Sequence, residues 1–478
     1  MTRRAFDLES HLAAIDGRAV DLHEQHVNPS YARMLRTIGF DVEYVRGQGA
    51  YLYDAADRPY LDCLGGYAVF NVGRNHPTIR DALRQALEAD LPNLPGIGPF
   101  RLSGRLAAKL VAIAPDGLDT VYFTSTGSGG VEVALKYARA ATGKRRFVHC
   151  DRAYHGLSMG SLSVNGNHEF RDGFGPLIDG TSVIPFNDVA ALERELQAGD
   201  VAAFVVEPIQ GKGVNIPDDG YLRRAKEICE RYGALLIFDE IQTGFGRTGR
   251  MWAGEHWNVS PDIMVVAKAL SGGYVPVGAV LSRRWIHEKV FSSMDRCCVQ
   301  QSTFSQNELA MVAGLATLQV LEDEKLVARA KEVGDYLMRG LADLRHTHPL
   351  LHEVRGKGLM IALEFRRPKS LGMRTAWDVV HAMNPSLFCQ AVLMPLLVDH
   401  GVLAQVAGHR LDVIKLIPPL VLTEADADRI IAAFDATLEG CSRFPGPAWT
   451  SVSRIAKNVL RNGNPREKAS RAKLRAGG

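Results

Sequence analysis

A carboxylate and a lysine stand at the ends of two successive apolar runs in the middle of the chain. Asp239 closes LLIFD, and Lys268 closes DIMVVAK just before Ala-Leu-Ser-Gly-Gly. Carboxyl ends of parallel strands meet at one sheet edge, where α/β proteins place their sites. A desolvated strand-end lysine favours its neutral, nucleophilic form, and a carboxylate can pair with a cationic ring nitrogen. Together they predict Schiff-base chemistry on pyridoxal phosphate, although each alone also fits a magnesium-binding acidic motif or a surface lysine.

A glycine-rich turn farther upstream is a candidate phosphate site. In VYFTSTGSGGVEVALKYARAATGK, a β-rich run leads through Thr126, Gly127 and Ser128 into a helical pattern. Free backbone N–H groups at a helix start can hold a phosphate. The glycine spacing matches neither a P-loop nor the dinucleotide-binding fingerprint, so an NTPase and a nicotinamide-dependent dehydrogenase are disfavoured. The turn alone leaves open the alternative of a simple helix cap.

The elements that must position these residues follow from the alternation of apolar runs and helical patterns. Residues 42–62 predict a β-hairpin. After residue 76, helical stretches separate seven β-rich runs: TVYFTS, RRFVHC, SVIPF, AAFVVEP, ALLIFDE, DIMVVAK and VGAVL. This order predicts an α/β fold with a mainly parallel sheet covered on both faces. The expected organisation is an N-terminal segment (1–75) contributing to a small domain, a large cofactor-binding domain (76–325), a small C-terminal α+β domain (326–445) and a basic tail (446–478).

Composition fits an ordinary globular enzyme. Of 478 residues, 46% are hydrophobic and 23% are charged, and the net charge of +3 argues for no particular partner. The seven cysteines are scattered without a CxxC pair, so we expect reduced thiols and no metal site. No signal peptide or transmembrane segment is predicted, which favours the cytoplasm. The basic tail is expected to be a solvated extension, with docking to an anionic surface as the alternative, and no nucleic-acid partner is expected.

Several motifs follow one another in an order that matches a known family. They are LDCLGGYAVFNVGRNHP, TSTGSGG, AYHG, VVEPIQG, IFDEIQTGFGRTG, VVAKALSGG, QQSTFSQNELA, VRGKGLM and IPPLVLT. On these motifs the chain resembles the class III, fold type I aminotransferases, the group containing ornithine, acetylornithine, putrescine and ω-amino acid aminotransferases. The resemblance covers about residues 30–440. It implies a seven-stranded-type sheet between helices, plus a smaller α+β domain.

The resemblance implies a cofactor role for each matched residue. Lys268 would carry pyridoxal 5′-phosphate and move the proton, and Asp239 would pair with the pyridine nitrogen. The other implied cofactor contacts are Gln242 at the ring hydroxyl, Tyr154 stacked on the ring, Glu207 of VVEPIQG, the phosphate turn Thr126, Gly127 and Ser128, and Thr303 from the neighbouring subunit. The implied assembly is therefore a homodimer with shared active sites.

Substrate residues are where this sequence departs from the family pattern. By the resemblance, Arg355 would grip the carboxylate of a 2-oxo acid or glutamate, as a guanidinium can do bidentately. Lys212 replaces a glutamate that in many relatives can mask that arginine, and Leu157 replaces a basic residue. With Gly129-Gly130 and Tyr67, these changes predict a less charged pocket and an ω-amine, or an aldehyde made from one, rather than ornithine.

The predicted activity is transamination by a ping-pong mechanism, from an amine or amino acid to a 2-oxo acid or aldehyde. A mutase, decarboxylase or racemase on the same fold is the first alternative, because a fold does not fix a reaction. A cofactor-free binding or regulatory protein on a decayed aminotransferase fold is the alternative of another class. The joint presence of Lys268, Asp239 and Gln242 argues against it.

Overall fold

The computed structural model describes residues 6–369, 374–375, 377–378, 381–382, 387–408 and 411–442. The predicted basic tail, residues 446–478, lies outside these ranges. Strands β1 to β15 are Tyr44–Gln48, Tyr51–Asp54, Pro59–Asp62, Thr120–Thr124, Arg146–Cys150, Thr181–Ile184, Val201–Val206, Leu235–Asp239, Ile263–Val266, Gly278–Ser282, Leu351–Lys357, Met360–Phe365, Val402–Leu403, Gln405–Val406 and Val413–Leu416.

The helices are numbered in the same way. Helices α1 to α16 are Leu8–Ile15, Ala19–His26, Pro29–Ile38, Gly65–Ala68, Pro77–Glu88, Arg101–Ala112, Gly127–Thr142, Met159–Ser163, His168–Arg171, Val189–Leu196, Tyr221–Arg231, Arg284–Val290, Glu308–Asp323, Leu326–Asp343, Leu387–Val398 and Glu424–Ser442. Within the described residues, none of these helices combines the length and apolarity that crossing a bilayer requires.

A seven-stranded sheet forms the centre of the molecule, in the order β4-β10-β9-β8-β7-β5-β6. Its pairings are parallel from β9 to β6, whereas β10 is antiparallel to both of its neighbours. Every residue of β7 is buried, as expected when helices cover both faces. Helix α7 packs on one face through Ala134 and Ala138, and α11 packs on the other through Leu222 and Ala225. The predicted α/β fold and its seven strands are confirmed.

Two four-stranded sheets lie outside the central one, and the first of them combines the two ends of the chain. The predicted hairpin forms antiparallel β1, β2 and β3, and β13 from the C-terminal part adds to β3 in parallel. The other sheet has the order β11-β12-β15-β14. The buried Arg247 guanidinium joins these parts, because it donates to the Asn71 side chain and to the carbonyls of Leu359 and Pro418. The β13–β3 pairing supports a small domain built from both ends, while the domain boundaries stay a prediction.

Candidate active site

A cavity of about 1380 Å³ opens at the carboxyl ends of the parallel strands, which is the expected site location in an open α/β sheet. Three parts of the chain line it: the loops after the central strands, the N-terminal loop around Tyr67, and the C-terminal sheet with Lys415. Of the residues predicted from sequence, those lining the cavity are Tyr67, Thr126, Gly127, Ser128, Tyr154, Leu157, Glu207, Lys212, Asp239, Gln242 and Lys268.

Lys268 follows β9 at the first position of a 3₁₀ turn. Its φ of 45° lies in the left-handed region, which is costly for a residue with a side chain and recurs at functional sites. Burial lowers the pKa of the Lys268 ammonium, against the opposing charges of Asp239 and Glu207. The neutral amine is therefore more populated than on a surface lysine, as a nucleophile requires.

Asp239 ends β8 and is held in a buried pair with His155. Asp239 Oδ2 accepts from His155 Nδ1 at 2.8 Å, and Oδ1 accepts from Ile241 N at 3.0 Å. Burial lowers the pKa of the His155 imidazole, but the hydrogen bond and charge of Asp239 outweigh burial and raise it overall. These two hydrogen bonds hold the Asp239 side chain in place at the wall of the cavity. Sequence reasoning quoted His155 within AYHG but gave it no role.

The predicted phosphate turn forms the N-terminus of α7. Thr126 caps the helix, since its Oγ1 accepts from Gly129 N at 2.9 Å, and the first intrahelical bond runs from Gly130 N to Thr126 O at 3.0 Å. The N–H groups of Gly127 and Ser128 precede that bond and line the cavity. A Cβ on Gly127 would lie 2.8 Å from Ile241 Cδ1, so a larger residue would require the Ile241 side chain to move. The turn both caps the helix and presents an anion site.

The hydroxyl of Ser128 is used inside the protein. It lies 2.6 Å from Ser158 Oγ and 2.7 Å from Ser161 Oγ. Ser128 therefore offers the cavity its backbone N–H, and the side chain holds the turn against the 158–161 segment.

Three further predicted residues connect the walls of the cavity. Glu207 accepts from Tyr154 N at 3.0 Å and from Gly211 N at 2.8 Å, and burial raises the pKa of its carboxyl group. It thereby positions the Tyr154 ring, which meets Phe170 edge-on at 5.4 Å between centroids. Gln242 donates to Tyr67 O at 3.2 Å, which fixes its amide at the base of the cavity.

Lys415 is a cavity residue that sequence reasoning missed. Its Nζ donates to Gly211 O at 2.7 Å and to Gln242 Oε1 at 3.2 Å. Burial, and then the positive charge of Lys268, lower the pKa of Lys415 to about 7, while Glu207 opposes the shift. The signal in the sequence was a single lysine inside the apolar run VIKLIPPL.

Arg355 and Thr303 do not line the cavity. Arg355 lies in a separate groove of about 440 Å³, where it donates to the Glu353 and Glu364 carboxylates and to the carbonyls of Gly213 and Val214. The expectation that Arg355 grips a substrate carboxylate in this cavity is therefore not supported by its position, because its donors face other partners.

Thr303 is exposed, and its predicted role concerns a neighbouring subunit.

Comparison with known proteins assigns the chain to a family. The profile described as Aminotransferase class-III matches residues 34–438. The chain belongs to the class III aminotransferases. Among solved structures it is similar to ornithine aminotransferase from Toxoplasma gondii, with 31% identity, a TM-score of 0.79 and coverage of 91% of this chain and 99% of that one. It is also similar to an amine transaminase from an uncultivated Pseudomonas species, with 32% identity, a TM-score of 0.72 and coverage of 84% and 95%.

A curated relative of this class III aminotransferase is Aminotransferase PigE from Serratia sp., which is 32% identical over 457 residues. The match covers 89% of this chain but only 54% of PigE, so the chain spans about half the length of that relative.

The site fits the cofactor of the class III aminotransferases, pyridoxal 5′-phosphate. The N–H groups at the start of α7, which have no partner within the helix, suit the phosphate, the buried Asp239 suits a protonated ring nitrogen, and the Lys268 amine suits the aldehyde. All three groups line one cavity. The chain is thus a class III aminotransferase by family, with a cavity that fits the family's cofactor, as predicted from its sequence.

Proposed function

We propose that this transaminase takes its amino group from an ω-amine with an apolar body and passes it to a 2-oxo acid or an aldehyde in a ping-pong cycle. The observation that carries the proposal is the apolar wall around the cavity, formed by Tyr67, Leu157, Phe170, Val406 and Ala407. Leu157 is 52% exposed, so a substrate chain can cover it and gain hydrophobic contact. A cationic side chain at position 157 would instead suit a substrate that carries a second carboxylate.

Lys212 also lines the cavity, but its positive charge is already paired within the protein. Its ammonium is paired with Glu169 and lies 4.4 Å from the centre of the Phe170 ring. The pair and the ring together satisfy the lysine within the protein. The uncharged hydrocarbon part of an amine substrate can therefore lie along this wall without meeting an unpaired charge on Lys212.

The side chains divide the chemistry between them. Bound pyridoxal phosphate supplies an electron-withdrawing ring that stabilises negative charge on the substrate carbon. Asp239 would keep the ring nitrogen cationic, the α7 turn would hold the phosphate, and Tyr154 and Gln242 would orient the ring. The Lys268 amine would take a proton from the substrate carbon and return it.

The test is the absorption spectrum of the purified protein, recorded before and after adding single amines without an acceptor. Alkyl amines and simple diamines should remove the visible band of the bound cofactor faster than ornithine or acetylornithine at equal concentration. A marked preference for ornithine or acetylornithine would overturn the donor assignment. Product formed without any second substrate would instead favour a mutase, decarboxylase or racemase.

We also propose that two copies assemble with shared sites and that Thr303 reaches the partner's phosphate turn. Support comes from two exposed apolar side chains: Phe304, which follows Thr303, is 62% exposed, and Ile97 is 98% exposed. Their segments are tied together, since Asn93 and Glu308 exchange hydrogen bonds of 3.1 and 3.3 Å. Exposed apolar clusters of this kind mark protein interfaces.

Light scattering after gel filtration tests this assembly. The wild type should have the mass of a dimer, and Phe304→Arg should give monomers. Thr303→Val should remain dimeric but hold the cofactor more weakly; unchanged cofactor affinity would remove Thr303 from the site.

We place the enzyme in the cytoplasm, a proposal supported by its seven unpaired cysteines.

A further inference from the structure

A carboxylate on α7 lies one helical turn beyond the turn that is proposed to hold the phosphate. Glu132 follows Ser128 by four residues, so the two side chains lie on the same face of α7. The donors that bind the half-buried Glu132 are neutral groups, and all of them belong to one segment, residues 158–161. That segment also contacts Ser128, so Glu132 and the turn share a partner.

Three hydrogen bonds converge on a single oxygen of Glu132. Its Oε1 accepts from Ser158 Oγ at 2.6 Å, from Gly160 N at 2.8 Å and from Ser161 N at 3.0 Å. A Cβ on Gly160 would lie 2.1 Å from Glu132 Oε2, so a larger residue there would displace the carboxylate. Hydrogen bonds to an ionised acceptor are among the stronger ones in proteins. Glu132 therefore fixes the 158–161 segment against α7.

The carboxylate also decides how the neighbouring hydroxyl groups donate. A carboxylate only accepts and a serine hydroxyl has one proton, so Ser158 gives its proton to Glu132. The contact of 2.6 Å between Ser128 Oγ and Ser158 Oγ then needs the proton of Ser128. Ser128 Oγ in turn accepts from Ser158 N at 3.1 Å and lies 2.7 Å from Ser161 Oγ. The Ser128 hydroxyl is thus committed to this link, and Ser128 offers a phosphate its backbone N–H.

We propose that Glu132 is a positioning residue for the cofactor phosphate. Through Ser158 it holds Ser128 in place, so that the N–H groups of Gly127 and Ser128 are set for the phosphate before the cofactor binds. Donors that are fixed in advance bind more tightly than donors that must be ordered on binding. The proposal rests on the proposed function, in which the α7 turn holds the phosphate, and it names the residue that keeps this turn in shape.

The helix itself does not depend on Glu132. Thr126 already caps α7 at Gly129 N, and Val133 and Ala134 are buried in the core beneath it. A change at Glu132 should therefore loosen the turn without unfolding α7.

The test compares pyridoxal phosphate with pyridoxal, which lacks the phosphate but keeps the ring and the aldehyde. The full chain, freed of cofactor, is titrated with each compound, and the visible band gives each dissociation constant. Glu132→Met should weaken binding of pyridoxal phosphate about tenfold, as expected when about one hydrogen bond is lost. Binding of pyridoxal should be unchanged, whereas a general loss of structure would weaken both.

Two further variants test the link itself. Glu132→Gln keeps an oxygen in the place of Oε1, so it should hold pyridoxal phosphate to within about threefold of the wild type. Ser158→Ala breaks the link between Glu132 and Ser128, and it should again weaken binding of pyridoxal phosphate alone. Adding Ser128→Ala to Ser158→Ala should cause little further loss, because both changes remove the same link.

Ser163→Ala is the matched control. Its hydroxyl lies in the same short helix but bonds to Met159 O and Ile178 N instead, so the change should alter neither dissociation constant. Equal weakening of both compounds by Glu132→Met and Ser158→Ala, or no weakening of either compound, would overturn the inference.

Reaction with amines tests the proposed function separately. A wild type whose visible band no amine removes, but whose variants lose pyridoxal phosphate selectively, would refute the proposed function and leave the role of Glu132 standing. A wild type that transaminates, with variants that bind both compounds as the wild type does, would refute the role of Glu132 alone.

Discussion

The buried pair between His155 and Asp239 gives a direct test of how the cofactor ring is held. Replacing His155 with leucine fills much of the same volume and removes the Nδ1 donor that lies 2.8 Å from Asp239 Oδ2. The carboxylate would keep a single hydrogen bond, from Ile241 N at 3.0 Å. A hydrogen bond to a charged group contributes about 1.5–3 kcal/mol, so the amine half-reaction should slow by about ten- to a hundredfold.

His155→Asn is the matched variant. The asparagine Nδ2 sits at the same distance along the side chain as histidine Nδ1, so it can still donate to Asp239. Its half-reaction should be slowed less than that of His155→Leu, by no more than about tenfold. Stopped-flow loss of the visible band with a saturating amine measures each rate, and titration with pyridoxal phosphate measures how tightly each variant holds the cofactor.

Two results would refute this reasoning. If His155→Leu reacts as fast as the wild type and only melts at a lower temperature, then His155 serves packing alone. If His155→Asn is as slow as His155→Leu, the imidazole itself is needed and the hydrogen bond does not explain the effect.

Three further predictions concern the lysines and the apolar wall. Lys268→Ala should bind the cofactor without a covalent link and lose about a hundredfold or more in turnover; borohydride reduction and mass spectrometry should find cofactor mass on the wild type only. Because burial and the charge of Lys268 lower the pKa of Lys415 to about 7, the ammonium form is present below that pH and lost above it. An unfolded lysine keeps its proton to a higher pH, so the free energy of unfolding should rise above pH 7 in the wild type and rise less in Lys415→Met, as measured by chemical denaturation. Leu157→Arg should raise kcat/KM for amines with a distal carboxylate, measured as the ratio of ornithine to an alkyl diamine, and an unchanged ratio would count against Leu157 as a selectivity residue.

Most of the fold could be predicted because its strands are short apolar runs between helical patterns. The runs ending at Asp239 and Lys268 are buried strands of the central sheet, so the sheet edge brings their ends together without detailed packing. The glycine turn was also accessible, because a strand, a capping residue and a helix follow one another directly in the sequence.

His155 was harder to assign because it lies in the loop after β5, whereas its partner lies 84 residues away at the end of β8. A histidine after an aromatic residue has many possible surroundings, and only the folded sheet places its Nδ1 against Asp239. The same holds for Lys212, whose pairing with Glu169 depends on how the 167–171 segment covers the cavity.

The position of Arg355 outside the cavity has a geometric explanation in the C-terminal sheet. Arg355 on β11 pairs with Ala362 on β12, and Ala362 pairs in turn with Lys415 on β15. The two cations therefore stand in one cross-strand row, two strands apart. Neighbouring strands are about 4.8 Å apart, so the row separates their Cα atoms by about 10 Å. A sequence motif can place a cation in the correct sheet, but it cannot tell which strand borders the cavity. Lys415 therefore stands at the end of that row that lines the cavity, and Arg355 stands at the end that lines the separate groove.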